Sequence, residues 1–195
     1  MQLHYRYAFT YNYCLVVVSS MVLKAIKKRR SIRKFELTPV EDDKIESILE
    51  AGRWAPSFSN LQPWEFIVVK DADLKHQLYE AAKEEARRFA EAIEQAPAVI
   101  VTIVDPNVDT RHFVEDGAIA TQNMALAAYS LGLGSCWIGV YNTAGEEAIK
   151  GILDVPQKCR VISLLPIGTP TEIPVARRKK LEEITHYEKY GRKSR

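Results

Sequence analysis

The sequence predicts one principal domain of mixed helix and strand, and two observations lead to that prediction. Segments with strand patterning, such as Glu65–Lys70 and the fully apolar Ala98–Val104, alternate with segments of helical periodicity. The chain has 195 residues, 47% of them hydrophobic, which is enough for one core of ordinary size. By default such alternation favours a doubly wound parallel sheet. No GxGxxG motif follows a strand, however, so the dinucleotide fingerprint of that class is absent.

Five helices are predicted from apolar residues at helical spacing. The second has the clearest start, with Thr38 as N-cap, Pro39 at the first helical position and Glu41 in the capping-box place. The fourth is rich in Gly and Ala, which favours close packing on another element or a dimer interface. In chain order the helices cover Val22–Lys28, Thr38–Gly52, Leu74–Gln95, Val114–Leu131 and Gly145–Leu153.

Four strands are predicted, and Ala98–Val104 is expected at the centre of the sheet because it is apolar throughout. The segment between the second helix and the first strand contains Pro56 and Pro63, which indicates a loop. The strands cover Glu65–Lys70, Ala98–Val104, Ser135–Val140 and Arg160–Ile167.

Charge and cysteine content exclude several classes of protein. The formal net charge is +2, and the basic residues concentrate at Lys27–Lys34 and Arg177–Lys180, which favours local anion sites over a nucleic-acid surface. Cys14, Cys136 and Cys159 form no CxxC pair, so neither a disulfide scaffold nor a structural zinc site is indicated. A reducing cytoplasm is the expected location.

The first twenty residues differ in pattern from the rest. Met1–Ser20 has no helical period, and its apolar run Cys14–Val18 is too short to span a bilayer. It also lacks the basic start and the clear cleavage site of a signal peptide. We therefore expect residues 1–20 to be an extension outside the core, and residues 21–195 to form a single domain.

The most informative stretch is the basic cluster Arg29–Phe35, which contains four cationic side chains, a hydroxyl and an aromatic ring. Arginine forks match phosphate oxygens in bidentate fashion, and Ser31 adds a neutral donor. On composition alone, a solvated face or a weak nucleic-acid patch is the commoner interpretation. Arg177–Lys180 alone is also interpreted as a solvated basic stretch.

A second signal is the loop Ala55–Trp64. Asn60 and Gln62 offer amide donors and acceptors, and the two prolines stiffen the chain around them. Such a loop can present fixed hydrogen-bond partners to a flat heteroaromatic ring. The alternative is an ordinary turn that leads into a strand, and loops of this composition are common.

Together these segments resemble the nitroreductase family of FMN enzymes, over Met21 to about Tyr190. Each matching block is weak alone, but six blocks occur in the family's order and spacing. The blocks are Arg29–Phe35, Ala55–Trp64, Asp116–Met124, Leu131–Gly139, Pro166–Pro170 and Arg177–Glu183.

The resemblance implies a fold different from the default one. It implies an α+β three-layer sandwich with a mostly antiparallel central sheet flanked by helices. Two subunits intertwine as a homodimer, the C-terminal segment reaches the partner, and tightly bound FMN lies at the interface in contact with both chains.

The resemblance also assigns cofactor-binding roles to twelve residues. Arg29 and Ser31, with help from Arg30, match positions that hold the FMN phosphate and ribityl chain, and Arg33 matches a position near the pyrimidine edge of the flavin. Arg177 and Arg178 match the C-terminal basic pair. Pro56, Ser57, Asn60 and Gln62 match the loop that meets the flavin from the other subunit. Ile138 and Gly139 match the strand end that faces the isoalloxazine.

The implied activity is that of an FMN-dependent NAD(P)H oxidoreductase with ping-pong kinetics and a small electrophilic acceptor such as a nitroaromatic or a quinone. No catalytic side chain and no metal site are predicted, because the chemistry belongs to the flavin. Neither nucleic acid nor membrane is an expected partner. The alternatives are a reductive dehalogenase or flavin-modifying enzyme of the same fold, a non-catalytic flavin-binding or redox-sensing protein, and a nucleic-acid accessory.

Overall fold

The computed structural model describes residues 21–193, so the predicted extension, residues 1–20, lies outside the described residues. A five-stranded sheet lies between two layers of helices. The helices are α1 (21–28), α2 (Asp42–Arg53), α3 (Ala72–Ala86), α4 (Glu91–Gln95), α5 (Phe113–Ser130), α6 (Ala144–Ile152) and α7 (Leu181–Ile184). The strands are β1 (Trp64–Val69), β2 (Ala98–Val104), β3 (Gly134–Ser135), β4 (Ile138–Gly139) and β5 (Arg160–Gly168).

Every pair of neighbouring strands in the sheet is antiparallel. The order is β1-β2-β5-β3, with β4 also paired to β5. The doubly wound parallel sheet, which the alternation of strands and helices favours by default, is therefore a wrong prediction. The α+β sandwich with an antiparallel sheet is confirmed.

A reversal of the chain after α3 explains the antiparallel order. The helix predicted over Leu74–Gln95 is wrong, because it breaks into α3, a 3₁₀ turn at Arg87–Phe89, and α4. Arg87 has φ 49° and ψ −129°, which no helix can accommodate. α4 therefore returns toward the end of β1, where Val69 pairs with Val99 at the start of β2. A single long helix would have carried the chain to the other end and allowed a parallel strand.

The alternation of side chains along β2 builds the two halves of the core. Val99, Val101 and Ile103 are buried among residues of α3, α4 and α6. Ala98 and Ile100 are buried on the opposite face, among residues of α2 and α5. Because successive residues of a strand point to opposite faces, one buried strand supplies both cores.

The small residues of α5 let it lie close to the sheet, as the sequence predicted. A Cβ on Gly117 would be 2.8 Å from side-chain carbons of both Val104 and Ile162. One turn further along α5, Thr121 Oγ1 donates to the Thr102 hydroxyl at 2.9 Å, so both buried hydroxyls have a partner. The N-terminal half of α5 is thereby fixed on the strands.

Two predicted boundaries change. The second helix begins at Asp42, with Glu41 as an N-cap that makes no side-chain capping bond, so the predicted start at Thr38 is wrong. The buried Val40 side chain packs into the core beside α2, and this holds the chain extended before the helix. The predicted strand Ser135–Val140 is divided into β3 and β4, which keep one register against β5.

Within residues 21–193, no helix is long and apolar enough to cross a membrane. The same residues contain no group of His, Cys, Asp or Glu side chains that could hold a metal ion. Cys136 and Cys159 are free and buried, and burial raises the pKa of the Cys136 thiol.

Candidate functional site

The basic cluster follows α1 and lies alongside β3. The Arg29 amide donates to the Ala25 carbonyl at 2.9 Å, which closes the last turn of α1. The chain then runs beside β3, where Ser31 and Ser135 form a parallel bridge and the Ile32 amide donates to the Ser135 carbonyl at 2.9 Å. The Ile32 side chain is buried in the core. The cluster is therefore held at one end of the sheet and is not a mobile surface run.

This segment and the C-terminal stretch enclose a polar pocket of about 190 Å³. Four arginines line it, namely Arg29, Arg30, Arg33 and Arg178, together with Ser31, and no carboxylate is among the lining residues. Burial, followed by the nearby Arg178 guanidinium, lowers the pKa of Arg29. The cations therefore repel one another, and a bound anion would relieve that repulsion.

Two buried polar atoms beside this pocket have no hydrogen-bond partner among the described residues: Arg33 Nε and Ser135 Oγ. The Arg33 guanidinium reaches only the Ser31 carbonyl, to which Nη1 donates at 3.3 Å, and it lies 4.5 Å from the centroid of the Phe89 ring. Buried polar groups are normally satisfied. These orphaned atoms therefore fit a pocket that is completed by an oxygen-rich ligand.

The other predicted basic residues have different surroundings. Arg30 Nη1 donates to the carbonyls of Lys27 and Arg29 at 2.9 Å each, so it also caps the end of α1. Arg177 is exposed and does not line the pocket. Lys34 pairs with Glu172 at 3.4 Å on the surface, as expected for a solvated charge.

The loop between α2 and β1 has a strained and well-defined backbone. Ser59, Asn60 and Gln62 all have positive φ, between 47° and 58°. The Gln62 amide donates to Ser57 Oγ at 2.9 Å, which closes the turn. Positive φ in residues other than glycine costs of order 1–3 kcal/mol each, so the surrounding structure must hold this shape. The side chains of Pro56, Asn60 and Gln62 are left exposed.

A buried carboxylate at the start of α5 anchors this loop. Both Asp116 oxygens lie 3.2 Å from the Phe58 amide, which donates to them, and the Phe58 ring stacks on His112 with centroids 4.4 Å apart. Burial raises the pKa of Asp116. Asp116 belongs to the block Asp116–Met124 that resembles the family, but no role is predicted for it from the sequence. Its place in the first turn of a helix otherwise rich in small apolar residues was the available signal.

The arginine pocket and the loop are far apart within one chain. The loop is anchored at the first turn of α5, whereas the pocket adjoins β3, which follows the end of α5. An 18-residue helix is about 27 Å long. One chain therefore does not bring the two predicted groups of site residues together.

Between these two regions, β4 offers a backbone donor at an open strand edge. Cys136 N and Val140 N donate to carbonyls of β5, at 3.2 and 3.3 Å. Because hydrogen-bonding direction alternates along a strand, the N–H of Gly139 points away from β5. Gly139 is exposed, whereas the Ile138 side chain is buried in the core. Ile138 therefore holds the strand, and Gly139 presents its amide.

These features define a class: an antiparallel α+β domain that has a phosphate-type anion pocket at one end and a free strand edge beside it. Comparison with known proteins identifies the family. The chain belongs to the nitroreductase family, because the model described as "Nitroreductase family" matches residues 26–169.

Individual relatives agree with this membership. The chain is 36% identical, over 89% of its length and 90% of the relative's, to a protein of Methanothermobacter thermautotrophicus that is provisionally named NADH dehydrogenase/NAD(P)H nitroreductase. It is 30% identical to the NADPH-flavin oxidoreductase of Vibrio harveyi, over 86% of this chain and 74% of that one. The solved structure of an FMN-dependent nitroreductase from Clostridium difficile R20291 superposes with TM-score 0.79 and 34% identity, covering 86% of this chain and 99% of that chain.

Family membership confirms three predictions: the nitroreductase resemblance, the fold class and an oxidoreductase of the kind that uses FMN with NAD(P)H. The roles of individual residues stay predictions, and so does the dimer. The fold places Arg29, Ser31, Arg33 and Arg178 together and leaves the Pro56–Gln62 loop apart from them.

Proposed function

We propose that this chain is an FMN-dependent NAD(P)H oxidoreductase that passes electrons to a small electrophilic acceptor such as a nitroaromatic or a quinone. The observation that carries the proposal is the pocket of four arginines and Ser31 with no carboxylate in its lining. A phosphate dianion fits that lining, and the unpartnered Arg33 Nε and Ser135 Oγ offer further donors.

Each lining residue then has a role toward the cofactor. Arg29, Arg178 and Ser31 hold the phosphate and the ribityl chain, and Arg30 adds its charge while it caps α1. Arg33 lies toward the pyrimidine edge of the ring, where a cation favours the reduced, negatively charged flavin.

The strand edge supplies the contact to the reactive part of the ring. The Gly139 amide, which points away from β5, would be the donor to the flavin locus at N5 and O4. Among the described residues, a Cβ at this position would meet only Trp137 Nε1, at 3.7 Å, so the space beside the strand is open and glycine leaves it free for a ligand.

We propose further that the site is completed by a second copy of the chain, as a homodimer whose C-terminal segment reaches the partner. The partner's loop would supply Pro56, Ser57, Asn60 and Gln62, which are too far from the arginine pocket in their own chain. The domain in this proposal is residues 21–195.

Exposed apolar surface supports the dimer. Met21 and Ile26 of α1 are 62% and 53% exposed, and Val175 and Leu181 of the C-terminal stretch are 95% and 76% exposed. An apolar groove of about 750 Å³ separates α1 from α5. A single soluble chain rarely leaves so much apolar surface uncovered.

Bound FMN would supply the hydride and electron-transfer chemistry between NAD(P)H and the acceptor. The residues of the chain orient the ring, neutralise the phosphate and set the potential through Arg33. Because reductant and acceptor use one site in turn, ping-pong kinetics are expected.

The test uses the purified chain loaded with FMN and mixed anaerobically with NADH and with NADPH. We expect the flavin absorbance to bleach with at least one nicotinamide, and to return on addition of menadione or nitrofurazone. A flavin that neither nicotinamide reduces would refute the enzyme and favour a flavin-binding sensor. An iodinated phenol as acceptor examines the dehalogenase alternative, since a relative from Nematostella vectensis, 30% identical, is named iodotyrosine deiodinase.

A further inference from the structure

The turn between α3 and α4, residues Arg87–Phe89, has an unusual conformation. Arg87 has φ 49° and ψ −129°, a region that residues other than glycine occupy only at a cost of order 1–3 kcal/mol. A glycine would reverse the chain here without that cost. The arginine side chain is exposed, so packing in the core does not account for it.

This turn meets the arginine pocket through the ring of Phe89. The Arg33 guanidinium, which lines the pocket, lies 4.5 Å from the ring centroid. The Arg88 guanidinium lies 5.2 Å from the same centroid. One aromatic ring therefore contacts one cation from the pocket and one from the turn, which puts the Arg88 guanidinium within about 10 Å of that of Arg33, outside the lining of the pocket.

The cations of the turn have no carboxylate to neutralise them. Among the described residues, no Asp or Glu oxygen lies within 4.0 Å of a guanidinium nitrogen of Arg33, Arg87 or Arg88, which is the distance limit for an ion pair. Arginines elsewhere in the chain do find such partners: Arg53 pairs with Glu50, and Arg160 pairs with Glu146. A rim of unpaired arginines next to an anion pocket is suited to a second anionic group.

We propose that Arg88, assisted by Arg87, forms a second anion subsite that binds the 2′-phosphate of NADPH and makes NADPH the preferred reductant. The inference rests on the proposed function, since it names the reductant of that same site. NADPH differs from NADH only in this phosphate, a group that carries up to two negative charges and three acceptor oxygens near neutral pH. The nicotinamide end must reach the ring that Arg33 borders, so the adenosine end lies farther out, toward the rim.

The experiment compares kcat/KM for NADPH and for NADH in the FMN-loaded wild type and in Arg88→Ala. We expect the wild type to favour NADPH. Loss of one charge-assisted hydrogen bond at an exposed rim should lower kcat/KM for NADPH about tenfold and leave NADH within about twofold. Lys44→Ala is the control, because it also removes one cation, which is partly exposed on α2 across the sheet, and it should change neither value.

Equal use of NADH and NADPH by the wild type would overturn the proposal, and so would an equal loss for both in Arg88→Ala. A second readout does not depend on turnover: the dissociation constants of NADP⁺ and NAD⁺ for the FMN-loaded protein. If neither nicotinamide reduces the flavin, the proposed enzyme is wrong, and this titration still decides the subsite. Binding of NADP⁺ no tighter than NAD⁺, with no response to Arg88→Ala, refutes it.

Discussion

Arg29→Ala tests the assignment of the arginine pocket to phosphate. Arg29 is partly buried and lines the pocket with Arg178, and the pKa of Arg29 is lowered by burial and by that neighbour. A charge-assisted hydrogen bond contributes about 1.5–3 kcal/mol. The variant also relieves repulsion between the two guanidiniums, so we expect the lower half of that range. This corresponds to a roughly 10–45-fold rise in the Kd of FMN.

The assay is a titration of flavin-stripped protein with FMN and with riboflavin, followed by quenching of flavin fluorescence. Riboflavin lacks the phosphate, so Arg29→Ala should weaken FMN and leave riboflavin nearly unchanged. Lys34→Ala is the control, because Lys34 pairs with Glu172 on the surface, and it should affect neither ligand. An unchanged Kd for FMN, or equal losses for both flavins, would refute the phosphate assignment.

Four further predictions concern close packing and buried carboxylates in the fold. Gly134→Ala would place a Cβ 2.6 Å from Ile32 Cγ1. We therefore expect the free energy of unfolding, measured in urea, to fall by about 1–3 kcal/mol, and FMN to bind more weakly. Wild-type stability and affinity in this variant would contradict the close packing of Gly134 on Ile32. Asp116→Ala removes the acceptor of the Phe58 amide, so hydrogen exchange of the loop amides should become faster. Asp116→Asn keeps an acceptor and should leave exchange unchanged. Equal exchange rates in the two variants would refute the role of Asp116 in holding the loop. Because the pKa of Asp116 is raised by burial, wild-type stability should fall as pH rises through that pKa, and Asp116→Asn should lose this dependence. Burial acts to raise the pKa of Glu146, but the hydrogen bonds from Arg160 and from the backbone amides of Asn142 and Val161 together outweigh it, and the pKa is lowered. Glu146→Gln should therefore cost about 2–3 kcal/mol near neutral pH, and the difference from wild type should shrink as pH falls through that lowered pKa. A constant difference down to acid pH would contradict the ion pair.

Strand and helix content could be predicted from residue patterns, but strand direction could not. The reversal after α3 depends on Arg87, and nothing in its neighbourhood breaks a helix, since the flanking residues are good helix formers. Side-chain periodicity carries no signal for the positive φ of Arg87. The family resemblance supplied the antiparallel sheet instead.

The site could be predicted in part, for the same physical reason. The local cluster Arg29–Phe35 is visible in sequence, because its members are neighbours along the chain. The approach of Arg178 to Arg29 depends on the path of the C-terminal stretch, and only the resemblance indicated it. The place of Asp116 in a helix of small apolar residues marks it as unusual, but its contact with the Phe58 amide joins positions 58 residues apart, and no local pattern predicts that contact.

The central claim is that one cofactor site is built from two copies of the chain, and a hybrid dimer tests it most directly. One copy carries Arg29→Ala and Arg178→Ala, and the other carries Asn60→Ala and Gln62→Ala. Each homodimer should bind FMN weakly, because both of its sites lack one half.

In the hybrid, purified by two different tags, one site receives intact arginines from one chain and an intact loop from the other. We predict about one FMN bound per dimer with wild-type affinity, as expected for interface sites in a two-fold dimer. If each site lay within a single chain, the hybrid would contain no intact site. Weak binding in the hybrid, equal to that of the two parent homodimers, would contradict the account.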